Sequence, residues 1–209
     1  MIFGIISVQK DYIEAAGLTS GVLLIYNTLN RNGTGSCGIG PSFSRRIIMF
    51  ELTPKKLTVE DFKPYGEFRD LLGVSEAPGF FPDLIQLNFG TTTLPSIDVC
   101  RVKKADENII RFVEYHSYTC EGLIPLDGDV VIYVGKPARG FKAPTGEDLE
   151  AYILPKGTFV RFKPGVLHGT QYPIDKEFVN LICMLPERTY ANDCQFIRFD
   201  DDAAAKVIM

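Results

Sequence analysis

Glu114-Tyr115-His116-Ser117-Tyr118-Thr119-Cys120-Glu121 opens the stretch that decides the fold, and Lys163-Pro164-Gly165-Val166-Leu167-His168 closes it. Between them lie Pro125-Leu126-Asp127-Gly128, the apolar run Val130 to Val134, and Leu154-Pro155-Lys156-Gly157. The two histidines of the chain stand at the two ends. In an extended chain Ile110, Phe112, Glu114 and His116 share one face, and Tyr118 joins them where the strand continues. Glu121 then falls on the other face, and Gly122 beside it predicts a bend or bulge that re-aims it. An antiparallel barrel brings both histidines to one place.

Outward from this stretch, short apolar runs alternate with turn residues. Strands are expected at 45–52, 84–89, 109–116, 130–134, 149–154, 158–162, 178–185 and 194–199. Thr58 is placed to cap a short helix that ends before Pro64, with Asp61 near its start. A further short helix is expected within 200–209. Residues 1–44 read as an N-terminal extension. Within them Val22 to Tyr26 is too short a run for periodicity to choose between strand and helix. The Gly-rich stretch 30–44 lacks the Gly-Lys-Ser/Thr ending of a phosphate loop and reads as a linker. Many strands with short turns fit an all-β barrel or sandwich, not βαβ alternation. The main domain is expected over 45–200, with 201–209 as a tail.

Composition narrows the function classes. The chain has 209 residues, enough for one well-cored domain. Its net charge is -4 and its 22 basic residues are scattered, which disfavours nucleic acid as a partner. No apolar run reaches 18 residues, so no membrane span is expected. The start of the chain is a poor secretory signal, with Asp11 and Glu14 close behind it. Five cysteines without a CxxC pair fit reduced thiols in a cytoplasmic protein. Cys120 reads as an ordinary small buried side chain.

His116, Glu121 and His168 form a mixed nitrogen and oxygen ligand set suited to one divalent ion: manganese, iron, nickel or zinc. The same residues also serve a metal-free pocket, with a histidine as acid or base. Tyr118 is a candidate fourth ligand or proton-transfer group. Arg161 shares a face with Phe159 and is a candidate bidentate clamp for an anionic substrate. Lys163 and Lys156 are candidate carboxylate attractants or solvated lysines, and Arg111 repeats the Arg161 reading less strongly. Tyr133, Phe112, Phe159 and Phe162 are candidate pocket walls or core. Glu114 reads as a histidine orienter or a rim salt-bridge residue.

His116-x-Tyr118-x-x-Glu121 followed by Gly128, and Gly157 followed by Pro164-Gly165 and His168, resemble the two cupin motifs. Tyr118 stands where the first motif usually has a second histidine. The run Leu57-Thr58-Val59-Glu60-Asp61-Phe62-Lys63-Pro64-Tyr65-Gly66-Glu67 resembles the N-terminal signature of the ureidoglycolate lyase family. His116 through Ile124-Pro125, Phe162 to His168, and Asn192-Asp193-Cys194-Gln195 resemble its later segments in order. Glu121 stands where that family usually has Gln, and Leu167 where it has Trp.

The resemblance implies a cupin-like antiparallel β-barrel (double-stranded β-helix or jelly roll) with few short helices. It implies carbon–nitrogen cleavage of ureidoglycolate to glyoxylate and urea. In that reaction His116 or His168 is the base, Glu121 or Tyr118 the proton donor, and Arg161 or Lys163 holds the carboxylate. It also implies homodimers. Two other functions remain open at this point: a metal-dependent cupin isomerase or oxygenase on a small sugar-like or keto acid, and a non-catalytic small-molecule-binding cupin.

Overall fold

A computed structural model describes residues 49–73, 83–90, 92–137 and 142–209. The readings for 1–44, including Val22 to Tyr26, lie outside the described residues. The described chain is all-β with a few short helical turns.

The largest sheet has five strands: β3 (Gly66–Asp70), β10 (Thr158–Phe162), β7 (Glu121–Pro125), β12 (Phe178–Pro186) and β4 (Pro95–Lys103), in that order and antiparallel throughout. A second sheet runs β11 (Tyr172–Pro173), β8 (Val130–Gly135), β9 (Leu149–Leu154) and β2 (Lys55–Lys56). A third joins β1 (Phe50–Leu52), β14 (Ala205–Val207) and β5 (Ile109–Ile110). A fourth pairs β13 (Gln195–Arg198) with β6 (Phe112–Tyr115).

Alternation explains the layering. Leu123, Val160, Phe162, Val179, Leu181 and Cys183 line one face of the five-stranded sheet. They meet Val130, Ile132, Val134, Tyr152 and Leu154 of the second sheet in one buried cluster. The other face of the second sheet, with Val131, Tyr133, Leu149 and Ala151, packs on Ile110, Ala205 and Val207 of the third. β8 therefore lies between two apolar layers, and every residue from Val130 to Gly135 is buried. Its unbroken apolar run is the sequence signature of a strand covered on both faces.

Among the described residues the expected barrel is not formed: none of their four sheets closes on itself. Closure requires each strand to ladder with two neighbours. Where the sheets approach beside the histidines, pairing shrinks to the isolated bridges Glu114↔His168 and Gly135↔Leu167. β2, β5 and β11 are two residues long, and prolines begin or end β4, β7, β11 and β12, where each removes a ladder donor. The sheets are not purely antiparallel either, because β1 pairs with β14 and β2 with β9 in parallel.

The short helix α1 (Val59–Phe62) forms as its cap predicts, with the Thr58 hydroxyl accepting from the Asp61 amide at 3.2 Å. Three other segments depart from expectation. Residues 84–89 form no strand, whereas 95–103 form the nine-residue β4. The helix expected in 200–209 is replaced by β14, because Ala205 and Val207 bury against β1 and β5.

Candidate metal centre

Two pieces of local structure deliver the histidines. Lys163-Pro164-Gly165-Val166 is a turn closed by Val166 N donating to the Lys163 carbonyl at 3.2 Å. Proline presets its first central position, and Gly165 takes φ 79°, which a side chain would resist. The Gly165 amide donates to the His116 carbonyl at 2.6 Å. His168 then pairs with Glu114 through both backbone hydrogen bonds, 2.8 and 2.9 Å. Glu121 opens β7 after the loop 117–120, which turns the chain between β6 and β7. That loop, rather than a bulge at Gly122, aims its carboxylate.

The three side chains converge. Nε2 of His116 lies 3.0 Å, and Nε2 of His168 2.9 Å, from the same oxygen, Oε2 of Glu121. His116 and His168 are each 2% exposed and Glu121 5%. The imidazole centroids are 5.2 Å apart. Phe162 stacks on His168 at 4.9 Å and shields one side. Tyr190, half exposed on α2 (Thr189–Asn192), stands edge-on to His116 at 6.5 Å.

Both histidines are anchored from behind. His116 Nδ1 donates to the Asp193 carbonyl at 2.6 Å, and His168 Nδ1 donates to the Val166 carbonyl at 2.8 Å. A neutral imidazole carries one N–H. With that proton spent on the carbonyl, each Nε2 turns a lone pair toward the same carboxylate oxygen. A proton or a cation must lie between them. A divalent ion held by the two Nε2 atoms and the Glu121 carboxylate satisfies all three donors at once, and the carbonyls fix the tautomer that metal ligation needs. The three ligand atoms lie within 4.8 Å of one another, so this cluster can chelate a single divalent metal ion.

With a proton in place of an ion at the centre, burial pushes the Glu121 carboxyl up, but the His168 charge and the hydrogen bonds then donated by the imidazoles outweigh it and hold the group far below the usual carboxylate range. Burial presses His168 down, yet the charge and hydrogen bond of Glu121, with Glu114 behind, push it up to about 9. Glu114 is itself buried, and desolvation raises its carboxyl despite the nearby His168 and a Cys194 thiol at 3.2 Å.

The remaining candidate residues are placed as follows. Tyr118 is 74% exposed, outside the cluster, and its amide donates to Asp193. Arg161 alternates with Val160 and Phe162, whose side chains face the core. It therefore projects from the opposite face of the sheet, where it binds the Glu67 carboxylate and the Gln86 carbonyl. Lys163 donates to the Lys63 carbonyl at 2.5 Å. Tyr133 is buried against Tyr172 and reaches the Phe112 carbonyl at 3.4 Å, so it packs the second core cluster. Phe112 itself is half-buried on β6. Lys136 and Glu147 line a cleft of about 350 Å³ with Tyr65 and Glu150, apart from the histidines.

Sequence reading gave no role to three residues that the structure places beside the cluster. Asp193 accepts from the amides of Ser117, Tyr118 and Thr119 at 2.7, 2.9 and 3.1 Å while its own carbonyl holds His116. The β6–β13 register, with Gln195 opposite Tyr115, puts it opposite Ser117. Cys183 Sγ lies 3.6 Å from Oε1 of Glu121. Tyr190 stands at the solvent boundary. Only Asp193 carried a signal, through its place in the 192–195 motif.

No family model matches the chain, and no curated protein matches it. The solved structures that match the chain do so distantly and at low identity. Oxalate decarboxylase from Bacillus subtilis matches at 13% identity over 51% of this chain and 24% of that one, with TM-score 0.35. A dTDP sugar isomerase from Desulfovibrio desulfuricans G20 matches at 16% over 66% and 84%, with TM-score 0.41. A dTDP-6-deoxy-D-glucose-3,5-epimerase from Legionella pneumophila Philadelphia 1 matches at 15% over 72% and 61%, with TM-score 0.31. The match thus spans about a quarter of the oxalate decarboxylase chain. The resemblance to the ureidoglycolate lyase family rests on the sequence motifs alone.

Proposed function

We propose that the protein is a mononuclear metal enzyme acting on a small, oxygen-rich carboxylate, keto acid or sugar-like molecule, by an isomerase, decarboxylase or oxygenase type of reaction. The observation that carries this reading is the convergence of His116, His168 and Glu121 on one buried point. Two imidazoles and one carboxylate, with coordination positions left over, are the donor set of Fe(II) oxygenases, and manganese, nickel and zinc suit it too. A bound divalent ion supplies a Lewis acid for a substrate carboxylate, hydroxyl or carbonyl oxygen.

The chain's own groups have separate tasks. The Asp193 and Val166 carbonyls orient the imidazoles. Phe162 excludes water from one side of His168, and Tyr190 borders the entrance beside His116. Glu114, its carboxyl raised by burial, backs His168 from inside. The working domain is 45–200, and the reading includes a cytoplasmic homodimer. Among the described residues no helix is long and apolar enough to cross a membrane.

The test is reconstitution of purified protein with Fe(II), Mn(II), Ni(II) or Zn(II), followed by turnover assays on small keto acids, oxalate and sugar nucleotides. Metal-dependent turnover that His168→Ala abolishes supports the reading. A protein that binds no divalent ion contradicts it. The second reading is ureidoglycolate cleavage, favoured by the ordered motifs at 57–67, 116–125 and 192–195. Urea release from ureidoglycolate decides for it, and its absence with every metal decides against it.

A further inference from the structure

Residues 85–90 form no strand, yet they alternate in burial: Ile85, Leu87 and Phe89 are half-buried, Gln86 and Asn88 exposed. Three contacts set this segment against the loop 117–120 and the start of β7. The Cys120 amide donates to the Asn88 carbonyl at 3.3 Å. A β-carbon on Gly90 would stand 2.2 Å from the Tyr118 carbonyl oxygen, so the two backbones meet there. Gly90 takes φ 58°, and its amide donates to Asn88 Oδ1 at 3.0 Å, so the chain turns at that contact. Leu87 and Phe159 cover Gly122, where a β-carbon would lie 3.3 Å from Leu87 Cδ2 and 2.8 Å from Phe159 Cε2.

The Arg161 side chain ties this segment to the sheet. Arg161 lies on β10 opposite Gly122. Its Nη1 donates to the Gln86 carbonyl at 3.1 Å, and its Nη2 pairs with the Glu67 carboxylate on β3. A planar guanidinium with both arms engaged holds one geometry, which a flexible ammonium does not. The arginine side chain is 19% exposed, so its contacts are largely sheltered from water.

We propose that Arg161 is a positioning residue for the metal centre: it pins residues 86–90, and they hold the loop that aims Glu121. The effect on the centre rests on the metal reading above; the pinning does not. Four consecutive amides of the loop donate to groups outside it. Those of Ser117, Tyr118 and Thr119 go to Asp193, and that of Cys120 goes to Asn88. The last of these bonds fixes the backbone one residue before the ligand. A ligand constellation tolerates errors of only about 0.5 Å. Loss of a group that orients a ligand weakens metal binding by roughly 10- to 100-fold. Arg161 itself projects from the opposite face of the sheet and acts through this backbone.

Hydrogen exchange of the isotope-labelled, metal-free full chain, read amide by amide by NMR, tests the pinning. In Arg161→Met the Cys120 amide is expected to exchange at least about tenfold faster, while the Val131 and Ile132 amides of the core strand β8 keep their rates. Gly90→Ala leaves Arg161 in place but drives a side chain into the Tyr118 carbonyl, and it is expected to act in the same direction. Manganese(II) titration is expected to show affinity about tenfold weaker in both variants. Arg161→Lys, which reaches Gln86 or Glu67 but not both, should fall between Arg161→Met and the unaltered protein. An unchanged Cys120 rate in Arg161→Met, or an equal rise at Val131 and Ile132, overturns the pinning. Faster Cys120 exchange with undiminished manganese affinity overturns the effect on Glu121. An unaltered protein that binds no manganese sinks the metal reading, while the exchange rates still decide the pinning. If Arg161→Met does not fold, Arg161→Lys and Gly90→Ala decide by the same two measurements.

Discussion

At Glu121 a single buried oxygen faces two imidazoles, and this arrangement is costly to break. Replacing Glu121 by Gln leaves His168 buried without its counter-charge. We expect a loss on the order of 3 kcal/mol in the metal-free protein, read from urea unfolding, together with loss of metal binding. The pH dependence follows from the same pair. The folded-state value of His168 is raised to about 9, above the ordinary histidine value near 6.5. Its contribution is therefore fully present below about 6.5 and disappears as pH rises through about 9. Glu121 is depressed, so its contribution is present above the ordinary carboxylate value and is lost on acidification. The metal-free protein should lose stability between about pH 6.5 and 9, measured as the urea midpoint, and His168→Gln should remove that alkaline loss. A flat profile in the unaltered protein would refute the ion-pair account. Asp193 acts at this scale as well. Asp193→Ala deletes the acceptor for three consecutive amides and should cost about 2 kcal/mol, while Asp193→Asn retains part of it. Metal affinity should fall with the Ala change and recover in part with Asn.

Among the elements, the position of Glu121 depends on β7 lying between β10 and β12. β10 is in turn flanked by β3, whose first residue is Gly66. A β-carbon on Gly66 would stand 1.8 Å from the Arg161 carbonyl oxygen, and the obstructing atom is backbone that cannot rotate away. Gly66→Ala should therefore part β3 from β10 and cost about 1–3 kcal/mol, seen as a lower unfolding midpoint. An unchanged midpoint would mean that the β3–β10 pairing contributes little. The strands most legible in the sequence were those with unbroken apolar or alternating runs: 130–134, 149–154, 158–162 and 178–185. β4 was missed because Ser96, Asp98 and Arg101 interrupt its apolar residues and, among the described residues, it lies at the edge of its sheet with most of its side chains exposed. The C-terminal strand was missed because Ala203 to Lys206 favours helix locally, while tertiary pairing with β1 and β5 decides the outcome.

For the whole molecule, the residues at the two ends of the opening stretch could be read from composition and order, because a chain with two histidines offers few alternatives. Their geometry could not. Alternation put Arg161 and Phe159 on a common face, and the register shows that this face is turned away from Glu121, since Arg161 pairs with Gly122 and Phe162 with Glu121. Parity gives faces but not which face meets the site. The barrel expectation failed for a related reason: turn signals count strands, whereas closure depends on ladders between strands distant in sequence. If a metal ties β6, β7 and the turn before His168 together, it should stabilise the folded chain by mass action, with the melting temperature rising as free metal exceeds Kd.

The most direct measurement is metal content after reconstitution, compared between the unaltered protein and the His116→Ala, Glu121→Gln and His168→Ala variants. One tightly held divalent ion per chain, lost in all three variants although they remain folded by circular dichroism, is the predicted result. An unaltered protein that retains no ion, or variants that retain it undiminished, would contradict the metal centre.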